Sequence, residues 1–193
     1  MTRGKRYRPR PESTNAETKP APRILSVDEQ REQLMMYAFR ALGQRALSEA
    51  ELRSRMLRRQ PDPELVQGVL ERVRELGYLN DEQVAQAEAR RRGVGSGRVR
   101  QKLRQRGVDN TLIEEVIAER DPEAEAEDAR TLLTRRWPSF QRAPDPQRRA
   151  FAFMLRRGYS SSLIWPLLRE VAAEHLAGHE AEGKPTDWDG EGE

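Results

Sequence analysis

The 193-residue chain contains no cysteine, which excludes disulfide staples and thiolate metal sites and fits a reducing compartment. Aromatic residues make up only 6%, too few for one thick core or for a row of base-stacking platforms. No apolar run approaches the roughly 20 residues of a membrane span. The basic N-terminus also lacks the apolar stretch of a secretory signal, so a soluble cytoplasmic protein with no membrane partner is expected. His175 and His179 are the only histidines. Their i, i+4 spacing lacks a third ligand, and no serine or histidine sits in a nucleophile context. We therefore expect no metal, no cofactor and no enzyme. Lysine is confined to Lys5, Lys19, Lys102 and Lys184, leaving guanidinium as the main cation, the better group for bidentate contact with phosphate or carboxylate. GC-rich codon usage produces the same bias.

What is present is charge, at 35%, beside 36% apolar residues. That mixture suits small modules of exposed helices rather than one globe. The net charge of +3 hides segregation. Residues 1–25 hold Arg3, Lys5, Arg6, Arg8 and Arg10 among several prolines and read as a disordered basic arm. Residues 174–193 hold Glu180, Glu182, Asp187, Asp189, Glu191 and Glu193 and read as a disordered acidic tail.

Between them, helix signals recur. Ser26 with Glu29, and Ser48 with Glu51, have capping-box spacing. Gly43 is read as the stop of the first helix and Pro61 of the second. Asp62 before Pro63 opens a third helix, which Gly77 closes. Asn80 and Asp121 cap helices expected over 81–92 and 122–136. Nine residues after Met56 come Leu65, Val66, Val69 and Leu70. Nine after Leu103 come Leu112, Ile113, Val116 and Ile117, and nine after Met154 come Leu163, Ile164, Leu167 and Leu168. Gly107 and Gly158 stand four residues past the second and third markers, placed for the left-handed conformation. The pattern is an internal repeat of helix triplets. No segment alternates apolar and polar residues, so no sheet is assigned. The reading is an all-α, elongated and curved array of three three-helix, helix-turn-helix-like repeats over 26–79, 80–120 and 121–173. An extended connection is expected over 138–146.

Residues 90–106 carry eight cations and no acid. On a helix from Gly97, Val99 and Leu103 point inward, with Arg98 and Lys102 on one flank and Arg100 and Arg104 on the other. Such a surface invites an anion. The other middle helices repeat the tendency. The candidate DNA- and filament-binding residues are Arg53, Arg55, Arg58 and Arg59 in the first repeat, and Arg91, Arg92, Arg98, Arg100, Lys102, Arg104 and Arg106 in the second. Arg148, Arg149, Arg156 and Arg157 complete the set in the third. An extended polyanion is the natural partner, with steep salt dependence. Gly93, Gly95 and Gly97 follow no strand and precede no Gly-Lys-Ser/Thr, so they read as a flexible link rather than a nucleotide loop. Trp137, Trp165, Tyr78 and Phe151 read as packing residues.

The stretches SEAELRSRML at 48–57, VLERVRELGYLND at 69–81, RVRQKLRQRGVDNTLIEEVI at 98–117 and FAFMLRRGYSSSLIWPLL at 151–168 resemble the RecX family of regulatory proteins. Either the LGYLND segment or the basic helix after it is weak alone; together they are specific. The resemblance implies a monomeric modulator that lies in the groove of the RecA recombinase filament on single-stranded DNA. It implies inhibition of ATPase, strand exchange and coprotease activities in recombination, DNA repair and the SOS response, with nonspecific duplex DNA as a further partner. A helix-turn-helix transcriptional regulator is the alternative reading, and a nonspecific single-strand-binding protein a third.

Overall fold

A computed structural model of the chain describes residues 25–182, with side chains described through residue 177. The acidic residues beyond 182, and the basic arm before Leu25, lie outside the described residues. The described residues form helices α1 (Val27–Gln44), α2 (Glu49–Arg59), α3 (Pro63–Glu75), α4 (Asp81–Ala89), α5 (Ser96–Gln105), α6 (Asn110–Ala118), α7 (Pro122–Phe140), α8 (Pro146–Arg156) and α9 (Ser161–Glu182). There is no strand among them. Helices pack in threes, α1–α3, α4–α6 and α7–α9. Each triplet encloses its own apolar cluster: one around Leu52, Met56 and Val69, one around Val99, Leu103 and Ile113, and one around Leu133, Met154 and Ile164.

Local chemistry sets most helix starts. Both capping boxes close: the Glu29 amide donates to Ser26 Oγ at 3.2 Å while Ser26 N–H donates to the Glu29 carboxylate at 2.8 Å. The Ser48 and Glu51 pair does the same at 3.2 and 3.1 Å. Each such cap stabilises its helix by about 1 kcal/mol. Asp62 and Asp121 accept from the first-turn amides of helices opened by proline. Gly77, Gly107 and Gly158 take positive φ, as their helix-closing places require.

Four helix ends differ from those expected. Gly43 lies inside α1, which runs to Gln44 and ends when Arg45 turns extended; a single helical glycine costs only about 1 kcal/mol. Helix α4 stops at Ala89 rather than Arg92. Helix α7 passes through Pro138 to Phe140, so the connection expected over 138–146 shrinks to residues 141–145. Pro138 sits in the last turn, where it forfeits one backbone bond, a cost of about 3 kcal/mol at most. Trp137 and Phe140 on either side are buried in the third core, contributing roughly 1.5–3 kcal/mol each. Packing prevails. Finally, α9 continues through residues 174–182, which the sequence reading placed in the tail.

The units join by one repeated geometry, in which the N-terminal turn of a middle helix seats against the C-terminal turn of the next unit's middle helix. At the first joint the Ser48 hydroxyl donates to the Arg106 carbonyl beside Gly107, and the Glu49 amide donates to Asp81 at 2.8 Å. At the second, the Gly95 amide donates to the Arg157 carbonyl at 2.9 Å and the Gly97 amide to the Gly158 carbonyl at 3.0 Å. The Ser96 amide donates to Glu125 at 2.9 Å. The glycines at 95 and 97 are thus a seat for another backbone, not the flexible link expected. A Cβ on Gly95 would lie 2.4 Å from the Gly158 carbonyl oxygen.

Candidate polyanion interface

The nominated cations stand on or beside the middle helices, Arg91 and Arg92 in the turn before α5, and the structure divides them by what each already touches. Some hold the fold. Arg106 donates twice to Glu51, at 2.9 and 3.1 Å, and to the Ala46 carbonyl at 2.8 Å, with its side chain 13% exposed. Arg157 donates to the Gly93 carbonyl at 3.2 Å and lies over the Phe153 ring. Arg53 bridges Glu49 and Gln67, both at 2.8 Å. These groups are engaged across or within the joints.

A second group is neutralised at the surface. Arg100 makes a two-pronged contact with Glu114, both bonds 2.7 Å, and Arg104 stands 3.9 Å from the same carboxylate. The Arg100 hydrogen bonds hold the Glu114 carboxyl below its ordinary range, and Glu114 in turn raises Arg100. Arg91 pairs with Glu88 at 2.8 Å. Arg58 and Arg59 have no carboxylate partner among the described residues but are engaged by neutral groups, Arg58 donating to Ser54 at 3.0 Å and Arg59 lying 5.2 Å from the Tyr37 ring centre.

What remains is the group free for an external anion. Among the described residues Arg55, Arg92, Arg98, Lys102, Arg148, Arg149 and Arg156 have no carboxylate partner. Arg98 touches only the neutral Gln101, at 2.8 Å. The two flanks of α5, alike in sequence, therefore differ. Arg100 and Arg104 engage the α6 carboxylate, whereas Arg98 and Lys102 line, without an acid partner, a cleft between the second and third units that Arg100 also borders.

Sequence reasoning missed the carboxylates that do the neutralising. Glu51 is the clearest. Burial works to raise its carboxyl, but the Ser48 amide, Arg45 and Arg106 outweigh it and hold the group down at about 2. Glu49 is opposed by burial in the same way, yet hydrogen bonds from Arg74 and Arg53 lower it. Asp81 moves up, chiefly by burial. At the second joint Arg120, 12% exposed, reaches Glu125 at 3.2 Å and the Val94 carbonyl at 3.0 Å. The spacing of these partners in sequence gave no local signal. Of the aromatics read as packing residues, Trp137 is buried, but Tyr78 and Trp165 are 61% and 46% exposed.

Comparison with known proteins now decides what the array is. The family model described as the second three-helix domain of RecX matches residues 81–117, all but the last residue of α4–α6. The regulatory protein RecX of Deinococcus radiodurans is 56% identical over 171 residues, covering 86% of this chain and 84% of that relative. The chain belongs to the RecX family. The RecX of Syntrophotalea carbinolica is 34% identical over 142 residues, covering 69% of this chain and 92% of its own length. A crystal structure of RecX from Lactobacillus salivarius aligns with a TM-score of 0.66 at 14% identity, covering 76% of this chain and 99% of that one. That likeness establishes the all-helical three-unit fold. No helix among the described residues is long and apolar enough to cross a membrane, and no cluster among them could hold a metal ion.

Proposed function

We propose that this RecX family member restrains the RecA recombinase by binding along its filament on single-stranded DNA, lowering ATP hydrolysis, strand exchange and coprotease activity. It acts as a cytoplasmic monomer in recombination, DNA repair and the SOS response, with no catalytic step of its own and no cofactor. One observation carries the polyanion half of this reading: cations without carboxylate partners stand on or beside the middle helices of all three units, at Arg55, at Arg92, Arg98 and Lys102, and at Arg148, Arg149 and Arg156. Contacts strung along one chain add through effective concentration, so binding to a repetitive filament exceeds binding to either component. Nonspecific duplex binding through the same cations would be weaker and strongly salt-dependent.

Adding the protein to preformed filaments while following ATP hydrolysis tests the reading. A fall in rate at substoichiometric protein is expected. An unchanged rate at saturating protein would overturn it.

A further inference from the structure

The cleft between the second and third units has a volume of about 1320 Å³, and its lining includes Arg98 and Lys102 from α5 and Arg156 from α8. Acids also reach it, but each is committed. Glu88 pairs with Arg91, and Glu125 is held by Ser96 and Arg120. The three cations are exposed and lack carboxylate partners among the described residues. Like charges gathered with no counter-charge repel, and an anion relieves them.

A second observation points the same way. Ser160 and Leu163 line the cleft, and Ser160 caps α9 by accepting the Leu163 amide at 3.3 Å. The positive end of a 22-residue helix therefore opens there, and its first turn holds no acid. A helix amino end of this kind favours phosphate. Tyr159 lines the same cleft, 2% exposed, and its hydroxyl has no hydrogen-bond partner. Burial, with Asp128 and Glu125 adding, pushes that phenol up to about 12.

We infer that this cleft binds the phosphodiester backbone of single-stranded nucleic acid, with Arg98, Lys102 and Arg156 meeting phosphates from two units at once and the α9 amino end facing a third position. The inference rests on the polyanion reading above and narrows it to one place. An acidic peptide would satisfy the cations, but an exposed ring pair outside the lining, on the same α8 and α9 that contribute to it, favours a nucleic acid. Trp165 stacks on Phe151 with centroids 4.7 Å apart and stays nearly half exposed, a surface a base can use and a carboxylate cannot.

The test uses the full chain and a labelled twelve-nucleotide oligothymidylate, followed by fluorescence anisotropy across a salt series. The variant R98A/K102A/R156A should bind at least about ten-fold more weakly, with the slope of log affinity against log salt reduced by about two, as three lost contacts on a single strand require. The control R31A/R40A, exposed cations of α1 outside the nominated set, should stay within about two-fold of the parent. Both variants should keep the parent's helical circular dichroism and melting, because every altered side chain projects from a helix surface. Wild-type-like binding and slope in the triple variant would overturn the inference, as would displacement of the oligonucleotide by polyglutamate but not by tripolyphosphate. Competition by tripolyphosphate supports phosphate as the recognised group, and tighter binding of oligothymidylate than of tripolyphosphate at equal charge supports the strand over free phosphate. The filament assay is separate: a parent protein that binds the oligonucleotide through the cleft yet leaves RecA ATPase untouched defeats the functional reading and not the cleft.

Discussion

At the first joint the N-terminal turn of α2 is held largely by charge, with Glu49, Glu51 and Asp81 set among Arg53, Arg74 and Arg106. At the second joint the equivalent turn of α5 is held chiefly by its own backbone, through the Gly95 and Gly97 amides on the Arg157 and Gly158 carbonyls, with the Ser96 amide on Glu125 as the one acidic contact of that turn. The difference follows from residue size. Ala50 faces Gly107 at the first joint, so the chains stand apart by a methyl group and side chains must span the gap. At the second joint glycine faces glycine and the backbones touch. One geometry is thus met by two kinds of chemistry, one sensitive to pH and salt and the other to side-chain volume.

The sharpest way to break this contrast is Gly158→Ala. Gly158 has φ +88°, and an added Cβ would lie 2.1 Å from the Arg98 backbone nitrogen, which cannot move without opening the joint. A loss of about 3 kcal/mol or more is expected from left-handed strain plus overlap, read by urea denaturation together with faster hydrogen exchange at the Gly95 and Gly97 amides. Exchange at the parent rate would show that the second joint tolerates volume.

Acid should act on the other joint. Glu51, held at about 2 against an ordinary 4.5, contributes stability that is full above the ordinary value and disappears as pH falls toward 2. Asp81 moves in the opposite direction, so its protonation returns part of what is lost. The net loss between neutral pH and pH 2 is expected to be roughly 2 kcal/mol from this joint. Exchange at the Glu49 amide should quicken over that range while the Gly97 amide stays protected. Equal loss at both amides would remove the distinction.

Gly107→Ala tests whether the first joint has room to yield. The new Cβ would meet the Ala50 methyl at 2.5 Å, a side-chain contact, while φ is +73°. The expected loss is about 2 kcal/mol, and Ala50→Gly in the same chain should restore close to half. No recovery would mean the strain is wholly local to the turn. Smallest of all, Glu114→Gln should free Arg100 and raise oligonucleotide affinity about two- to three-fold at low salt. An unchanged affinity would place that flank of α5 away from the strand.

The elements of the fold were largely legible because their signals are local. A capping box spans four residues, and the spacing from Met56 to Leu65 repeats in the other units without reference to anything distant. The candidate site was legible only in part. Arg98, Arg100 and Arg106 look alike along the chain, yet one is free, one is paired to Glu114 and one is fixed to Glu51 at 55 residues' separation. Sequence gave charge density without its destination. Gly95 and Gly97 misled for the same reason: the backbone they make room for comes 60 residues later. Pro138 misled because the buried rings around it outweigh its missing bond.

The first unit ends its middle helix differently from the others. Gln60 is extended, φ −135°, and Pro61 follows, where the joints require a left-handed glycine. A head-to-tail contact that never closes on itself would, if both ends were open, string copies of the chain into a fibre. Here the leading face lacks the turn that a preceding unit would grip. A fourth unit docked in the same geometry would find at position 60 an extended glutamine in place of the left-handed glycine that both joints use.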